Sequence, residues 1–456
     1  MQWFSYSILF SLLFGVFIGM LPFSKGVAAA AYVLLIVLSF CKLILKNRFF
    51  QTPKIEQVSL SKVYSYKRKK ILLAPLFLFL ALTFSLLYTA DQQTGIRLII
   101  SQSKMLGIPF IFFVNYDLLR QKKDDFLLLF LRAASLAALI TCLFFLLPSK
   151  TVAAIAATIP PLKDYIIHKK AYAFGAYSPF LDRLQFSYLL SGSFFLALWR
   201  LLKLPTKSSR FSDYIYILAP CLCLLILGAR GTQLGFILGG GMWLIGIYLY
   251  YGHPVLKAKI SSFLSYSLLV LCLFLTTFCL PLLIYKKVPA VKMRYDQLRW
   301  EIATFQDNTF QNYEYIYFTS VRRFLSWRNS WLLIQEQPLL GVGIGDYEAK
   351  MATVYQQDAL GYPVNTHSQL LYYWTCAGLL GIGLFLLVWG HWFYCLLRAK
   401  DYWTRILACS FFAFYTFVFL LDAPLNFQVG AMTFWFFYAF VELLEHSKTP
   451  IGINVA

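Results

Sequence analysis

Apolar runs of roughly 17–22 residues recur along this chain between polar breaks, the length of an α-helix crossing a hydrocarbon core of about 30 Å. Inside lipid no water satisfies backbone N–H and C=O groups, so such segments must be helices or closed barrels. Barrel strands alternate apolar and polar residues; these runs are continuous, which excludes a barrel and leaves an all-α polytopic membrane protein. Composition agrees, with 59% of the 456 residues hydrophobic, 19% aromatic, only 13% charged, and a mean hydropathy of +0.65. The pattern gives about twelve transmembrane helices, at 5–22, 27–45, 71–89, 97–115, 126–147, 183–201, 213–229, 233–251, 261–284, 367–395, 405–421 and 428–445.

A formal charge of +21 invites a nucleic-acid reading, but its distribution argues for membrane topology instead. Lys42, Lys46, Arg48, Lys54, Lys62, Lys67, Arg68, Lys69 and Lys70 crowd one basic cytoplasmic loop, 46–70, and its edge. Arg120, Lys122 and Lys123 mark a second short loop, and Arg200, Lys203, Lys207 and Arg210 a third. This is the positive-inside pattern, with anionic lipid headgroups as partners and no nucleic acid. Both termini are then cytoplasmic. Segments 148–182 and 285–366 lie on the other side, where long loops are exempt from the charge rule. The first apolar run lacks a charged leader and a convincing cleavage site, so it reads as a retained helix. Eight of the nine cysteines lie in apolar stretches without metal-ligand spacing and read as small apolar residues.

The chain reads as one membrane domain, 1–456, with a helical extracytoplasmic cap in loop 285–366. Tyr317, Val321, Phe324, Trp327 and Trp331 recur at helical spacing over 313–337. Pro338-Leu339-Leu340-Gly341-Val342-Gly343-Ile344-Gly345 then ends that helix in a tight turn. With no preceding strand or following Lys-Ser/Thr, its glycines make no nucleotide loop. Neither repeated halves nor broken helices, the marks of a transporter, are legible.

Several cations stand where charge is costly. Arg97 and Lys104, seven residues apart in the fourth helix, share one face about 10 Å apart along its axis. Snorkelling towards headgroups is the alternative for both. Arg230 occupies a glycine-flanked break, Gly228-Ala229-Arg230-Gly231-Thr232-Gln233, at the external surface. Gly235 and Gly239 follow at a spacing that lets helices pack closely. Arg322, Arg323 and Arg328 lie on the loop helix, with Arg328, between Trp327 and Trp331, expected to point inward. Guanidinium forks suit phosphate oxygens; a solvated face with salt bridges to Glu314 or Glu336 is the other reading. His367 lies where the polar loop runs into an apolar helix, and an imidazole there suits a general base. No histidine–carboxylate cluster or acidic pair marks a metal site.

Over roughly residues 175–440 the chain resembles the bacterial O-antigen ligase / O-antigen polymerase family. The resemblance rests on Gly228-Ala229-Arg230-Gly231, Arg328-Asn329-Ser330-Trp331 leading into Pro338–Gly345, and Asn365-Thr366-His367-Ser368 around one large external loop. Ser178-Pro179-Phe180-Leu181-Asp182-Arg183 is a looser match and brings in Arg183. The resemblance implies a metal-independent glycosyltransferase of the bacterial inner membrane, with a periplasmic active site and no cofactor. Its donor would be an undecaprenyl-diphosphate-linked glycan, and its acceptor lipid A–core for a ligase or a lipid-linked glycan for a polymerase. His367, Arg230 and Arg328 are then expected as catalytic residues, and Arg183, Arg323, Arg322, Lys104 and Arg97 as substrate-binding residues. The late position of the large loop favours a ligase; a lipid-linked oligosaccharide transporter is the alternative of another class.

Overall fold

A protein dissolved in lipid turns its apolar side chains outward as well as inward, so its polar residues mark where helices face one another. The computed structural model describes residues 2–45, 61–147, 151, 154, 178–203, 210–252, 289–307, 319–357, 366–397, 399 and 401–445. Among them every regular element is helical: α1 Gln2–Met20, α2 Lys25–Leu45, α3 Ser61–Phe84, α4 Gln92–Gln102, α5 Lys104–Val114, α6 Tyr116–Gln121, α7 Lys123–Leu146 and α8 Arg183–Lys203. Then follow α9 Arg210–Leu227, α10 Arg230–Gly252, α11 Pro289–Gln306, α12 Thr319–Glu336, α13 Tyr347–Gln357, α14 Gln369–Leu397, α15 Tyr402–Leu421 and α16 Gln428–Glu445.

Seven stretches among the described residues are long and apolar enough to cross a membrane: Lys25–Ile44, Ile71–Tyr88, Gln92–Val114, Lys123–Leu146, Gly231–Tyr250, Gln369–Tyr394 and Tyr402–Leu421. Shorter apolar helices run over Tyr6–Met20, Phe211–Leu227 and Gln428–Leu444. This is the all-α polytopic architecture expected from the sequence. The span expected at 261–284 lies outside the described residues. Lipid-facing leucines and valines such as Val33, Val37, Leu136, Leu143, Leu218 and Leu222 stay exposed. α8 is different. Ser187, Ser191 and Ser193 dilute its hydropathy, and each hydroxyl donates to a carbonyl of its own helix at 2.7–2.9 Å. Those serines are buried, so α8 runs inside the bundle rather than against lipid. α10 packs closely on α15, where a Cβ on Gly235 would stand 3.1 Å from the Phe414 carbonyl and one on Gly239 2.9 Å from that of Ser410.

Three boundaries differ from the sequence reading. α3 begins at Ser61, so the last ten residues of the expected loop 46–70 are already helix. The span expected as one helix at 97–115 starts at Gln92 and breaks at Ser103, between Arg97 and Lys104, so the ideal projection that put both on one face does not hold. The third difference lies in α14, where Ala377 (φ −128°, ψ 17°) and Gly378 (φ 60°, ψ −153°) leave the helical region. A broken membrane helix, illegible in the sequence, is therefore present.

The turn after α12 fills that break. Val342 N–H donates to Thr375 O at 2.8 Å and Gly343 N–H to Cys376 O at 3.1 Å, taking carbonyls that the broken helix releases. In return Leu379 N–H donates to Pro338 O at 3.0 Å and Leu339 O at 3.1 Å. Irregular backbone survives at membrane depth only when protein satisfies it in this way. Gly341 (φ 74°) and Gly343 (φ 89°) supply the left-handed turn. The next residues dock onto the end of α3: Ile344 N–H donates to Ser85 Oγ at 3.3 Å, while the Asp346 carboxylate accepts from Ala90 and Asp91 N–H at 2.7 and 2.8 Å.

The bundle has two unlike ends. At one, Lys42 donates to Asn115 Oδ1 at 3.2 Å, and Lys203 and Arg200 pair with Asp401 and Asp213 at 3.1 and 3.0 Å. At the other lie Asp91, Gly228, Asp346, His367 and Asp422. Gly378→Ala puts a Cβ 2.1 Å from Leu339 O in a backbone region that only glycine occupies, so it should cost about 1–3 kcal/mol or more and lower Tm in detergent. Gly383→Ala, whose Cβ meets nothing within 4 Å, should leave Tm unchanged or slightly raised.

Candidate active site

His367 lies between α13 and α14 with φ 45°, the one left-handed non-glycine among the described residues. Such a conformation costs about 1–3 kcal/mol and persists where surrounding bonds over-determine it. Here they do. Thr366 N–H donates to Tyr347 Oη at 2.9 Å, Trp327 Nε1 donates to His367 O at 3.0 Å, and Gln369 N–H donates to Asp422 O at 3.0 Å. The ring is thus presented from a clamped turn rather than a loose loop, with 23% of the side chain exposed.

Asp422 ends α15 and turns its carboxylate to the imidazole, Oδ1 lying 3.7 Å from His367 Nδ1. That is an ion-pair distance, longer than a direct hydrogen bond, so the coupling in this geometry is chiefly electrostatic. Ala423 N–H donates to Oδ1 at 2.9 Å and Tyr188 Oη donates to Oδ2 at 2.7 Å, so both oxygens are fixed. Burial by itself pushes this carboxyl up. The facing His367, the Arg323 guanidinium and the Tyr188 hydroxyl outweigh it and hold the group below the usual carboxylate range. Asp422 is therefore an ionised, immobile partner. Nδ1 is the ring nitrogen buried against it, which turns the opposite edge of the imidazole towards the accessible side.

Beside this pair lies a small cleft, with about 10 Å³ of free space, lined by Leu184, Tyr188, Gly231, Thr232, Arg323, Val418, Leu421 and Asp422. Arg323 reaches it from α12, and its buried Nε has no hydrogen-bond partner among the described residues. A buried guanidinium nitrogen left in that state favours an anionic occupant. Gly231 and Thr232 belong to the first turn of α10, whose N–H groups and helix dipole favour negative charge at the same place. Thr232 is fixed by Ser187: its hydroxyl donates to Ser187 Oγ at 2.9 Å, since the Ser187 proton is given to Leu184 O.

The structure brings some of the expected residues together and separates others. Arg230 is the first residue of α10, next to the cleft-lining Gly231; the break expected over 228–233 contracts to Gly228, at φ 62°, and Ala229. Arg322 and Arg323 are half-buried on α12. Arg328, expected to point inward, is exposed, and its Nε donates to Asn329 Oδ1 at 3.2 Å. The reason is helical phase: Arg323 shares the inward side of α12 with the buried Ser326, Ser330 and Leu333, whereas Arg328 falls beside the exposed Trp331 and Leu332. Arg183 opens α8, five residues before Tyr188, after Asp182 caps that helix by accepting from Leu184 N–H at 2.9 Å. Lys104 is half-buried and donates to Ser101 O, and Arg97 is exposed, donating to Thr94 Oγ1 at 3.2 Å; neither lines the cleft. Asp422 and Tyr188 were missed. The available signal for Asp422 was a carboxylate ending an apolar span two residues before Pro424; Tyr188 had none, being one aromatic among many.

Residues 215–386 match the protein-family model described as O-antigen ligase. This segment, a little over a third of the chain, is what is similar to that family. The segment holds Arg230, Arg322, Arg323, Arg328 and His367 and leaves Tyr188 and Asp422 outside. No curated protein matches the chain. The His367–Asp422 pair and the anion-favouring cleft meet at one end of the bundle. Asp422→Asn should leave the fold intact, with unchanged elution and Tm, while lowering turnover in a transfer assay by about 10²-fold. Tyr188→Phe, which removes one of two fixed donors to the carboxylate, should cost less than about tenfold.

Proposed function

We propose that this protein transfers a glycan from undecaprenyl diphosphate to an acceptor sugar on the periplasmic side of the bacterial inner membrane. The observation that carries this reading is the juxtaposition of the His367–Asp422–Tyr188 chain with a cleft walled by Arg323 and the first turn of α10. In the proposed reaction an acceptor hydroxyl attacks the anomeric carbon of the donor. Its proton passes to His367, a glycosidic bond forms, and the bond to the diphosphate oxygen breaks, releasing undecaprenyl diphosphate. Asp422 stabilises the imidazolium so formed. Arg323, Arg230 and the α10 N-terminus take up the negative charge that develops on the diphosphate, which removes the need for a metal ion. Arg183 and Arg322 flank that position and bind the remaining phosphate or acidic sugar groups. Arg97 and Lys104, which lie off the cleft, contact outlying parts of the same lipid-linked substrate, whereas Arg328, on the exposed face of α12, takes no part in the reaction.

The sidedness follows from charge. The end opposite the cleft carries Lys42, Arg200 and Lys203, and by the positive-inside rule it faces the cytoplasm together with both termini. Among acceptors lipid A–core is preferred, which makes the protein a ligase. Purified protein in detergent, given a lipid-linked glycan donor, lipid A–core and EDTA, should form the lipid A–core conjugate. His367→Ala and Arg323→Ala should each reduce transfer by at least about 10²-fold. Product formed only on a second lipid-linked glycan would make the protein a polymerase. Full activity of His367→Ala would remove the base from the scheme.

A further inference from the structure

α12 leaves one long face uncovered. Phe324, Arg328 and Trp331 follow at steps of four and three residues along it, with Leu332 four beyond Arg328, and all are exposed, Trp331 at 45% and Leu332 at 42%. The opposite side carries the buried Leu325, Ser326, Asn329, Ser330 and Leu333. On a cap surrounded by water such an aromatic and aliphatic stripe would be unfavourable. Immediately after the helix, Leu339 and Leu340 are more exposed still, at 68% and 53%.

The contacts of this surface are with membrane spans. The Trp331 ring meets Trp374 edge-on at 5.6 Å, and Trp374 lies within the Gln369–Tyr394 span. Trp374 Nε1 donates to Pro338 O at 3.2 Å. Tyr88, the last residue of the Ile71–Tyr88 span, donates its hydroxyl to Leu340 O. The exposed Leu87 and Leu379 lie on those same two spans, so Trp331 and Leu339–Leu340 adjoin the lipid-facing surface, with the exposed polar Gln335, Glu336 and Gln337 between them. At about 1.5 Å per residue, Leu379 is about 15 Å along α14 from Gln369, so Pro338–Leu340 reaches well below the start of that helix.

We propose that Trp331–Leu340 is a membrane-interface anchor, its tryptophans and leucines seated at the boundary of phospholipid headgroups and acyl chains, with Arg328 on the lipid phosphates. Tryptophan and arginine are the side chains suited to that depth, one amphipathic and the other charged on a long apolar stem. α12 is then an interfacial helix with two working sides. Its lipid-seated side sets the depth at which the opposite side presents Arg323 to the cleft. This inference does not depend on which glycan is transferred.

The test is the depth of single spin labels in phosphatidylethanolamine–phosphatidylglycerol vesicles. Leu332→Cys and Leu339→Cys are made in protein whose nine native cysteines are replaced, with Glu348→Cys on the exposed side of α13 as the aqueous control. Labels at 332 and 339 should collide more often with oxygen than with a water-soluble nickel chelate, and the label at 348 should do the reverse. Nickel-dominated collisions at 332 and 339 would overturn the proposal. So would oxygen-dominated collisions that arise only after a polyprenyl diphosphate is added, because the face would then belong to the donor lipid. In protein with its cysteines intact, Trp331→Phe should lose part of the emission quenched by brominated phospholipids, and unchanged quenching would equally contradict the anchor.

Discussion

A carbonyl released inside a membrane helix must find another donor, and much of this structure follows from how α14 meets that demand. Its break at Ala377 and Gly378 gives up Thr375 O and Cys376 O, and the turn after α12 supplies Val342 and Gly343 N–H in exchange for a donor from Leu379. The exchange ties the large loop to the bundle at membrane depth. From this joint α12 runs back with its arginines, and the chain runs forward to Tyr347, the first residue of α13, whose hydroxyl fixes Thr366 beside the imidazole. The loop could not be cut loose without leaving polar backbone in lipid.

The site built on that frame separates two tasks. One set of groups fixes a single ring: the left-handed turn at His367, the Trp327 and Tyr347 hydrogen bonds, and the Asp422 carboxylate held by Tyr188 and Ala423. Another set prepares a place for negative charge: the Arg323 guanidinium and the first turn of α10. They come from the N-terminal ends of α8, α10 and α14, the C-terminal end of α15, and α12. A strained turn and a buried carboxylate beside it are expensive features, and both stand at the one place that borders the cleft walled by Arg323.

Hydropathy made most of the helices legible, because burial in lipid acts on composition over a whole span. The same averaging hid local events. Ala377-Gly378 lies inside an uninterrupted apolar run, and its break is imposed by the turn at 338–343, which is distant in sequence. Glycine flanks pointed correctly to the neighbourhood of Arg230, since Gly231 lines the cleft. For α12 the residue spacing revealed the helix but not its rotation, and the aromatic neighbours that suggested an inward Arg328 are themselves exposed or half-buried. The pairing of Asp422 with His367 was illegible for a different reason: the two are 55 residues apart in sequence, and only the packing of α15 on α14 joins them.

The most direct test of this account is a structure of the protein with an undecaprenyl-diphosphate-linked donor bound. The diphosphate should lie against Arg323 and the N–H groups of Gly231 and Thr232, with the anomeric carbon facing the exposed edge of His367. A diphosphate bound at the end that holds Lys203 and Asp401, or one remote from the His367–Asp422 pair, would contradict the account.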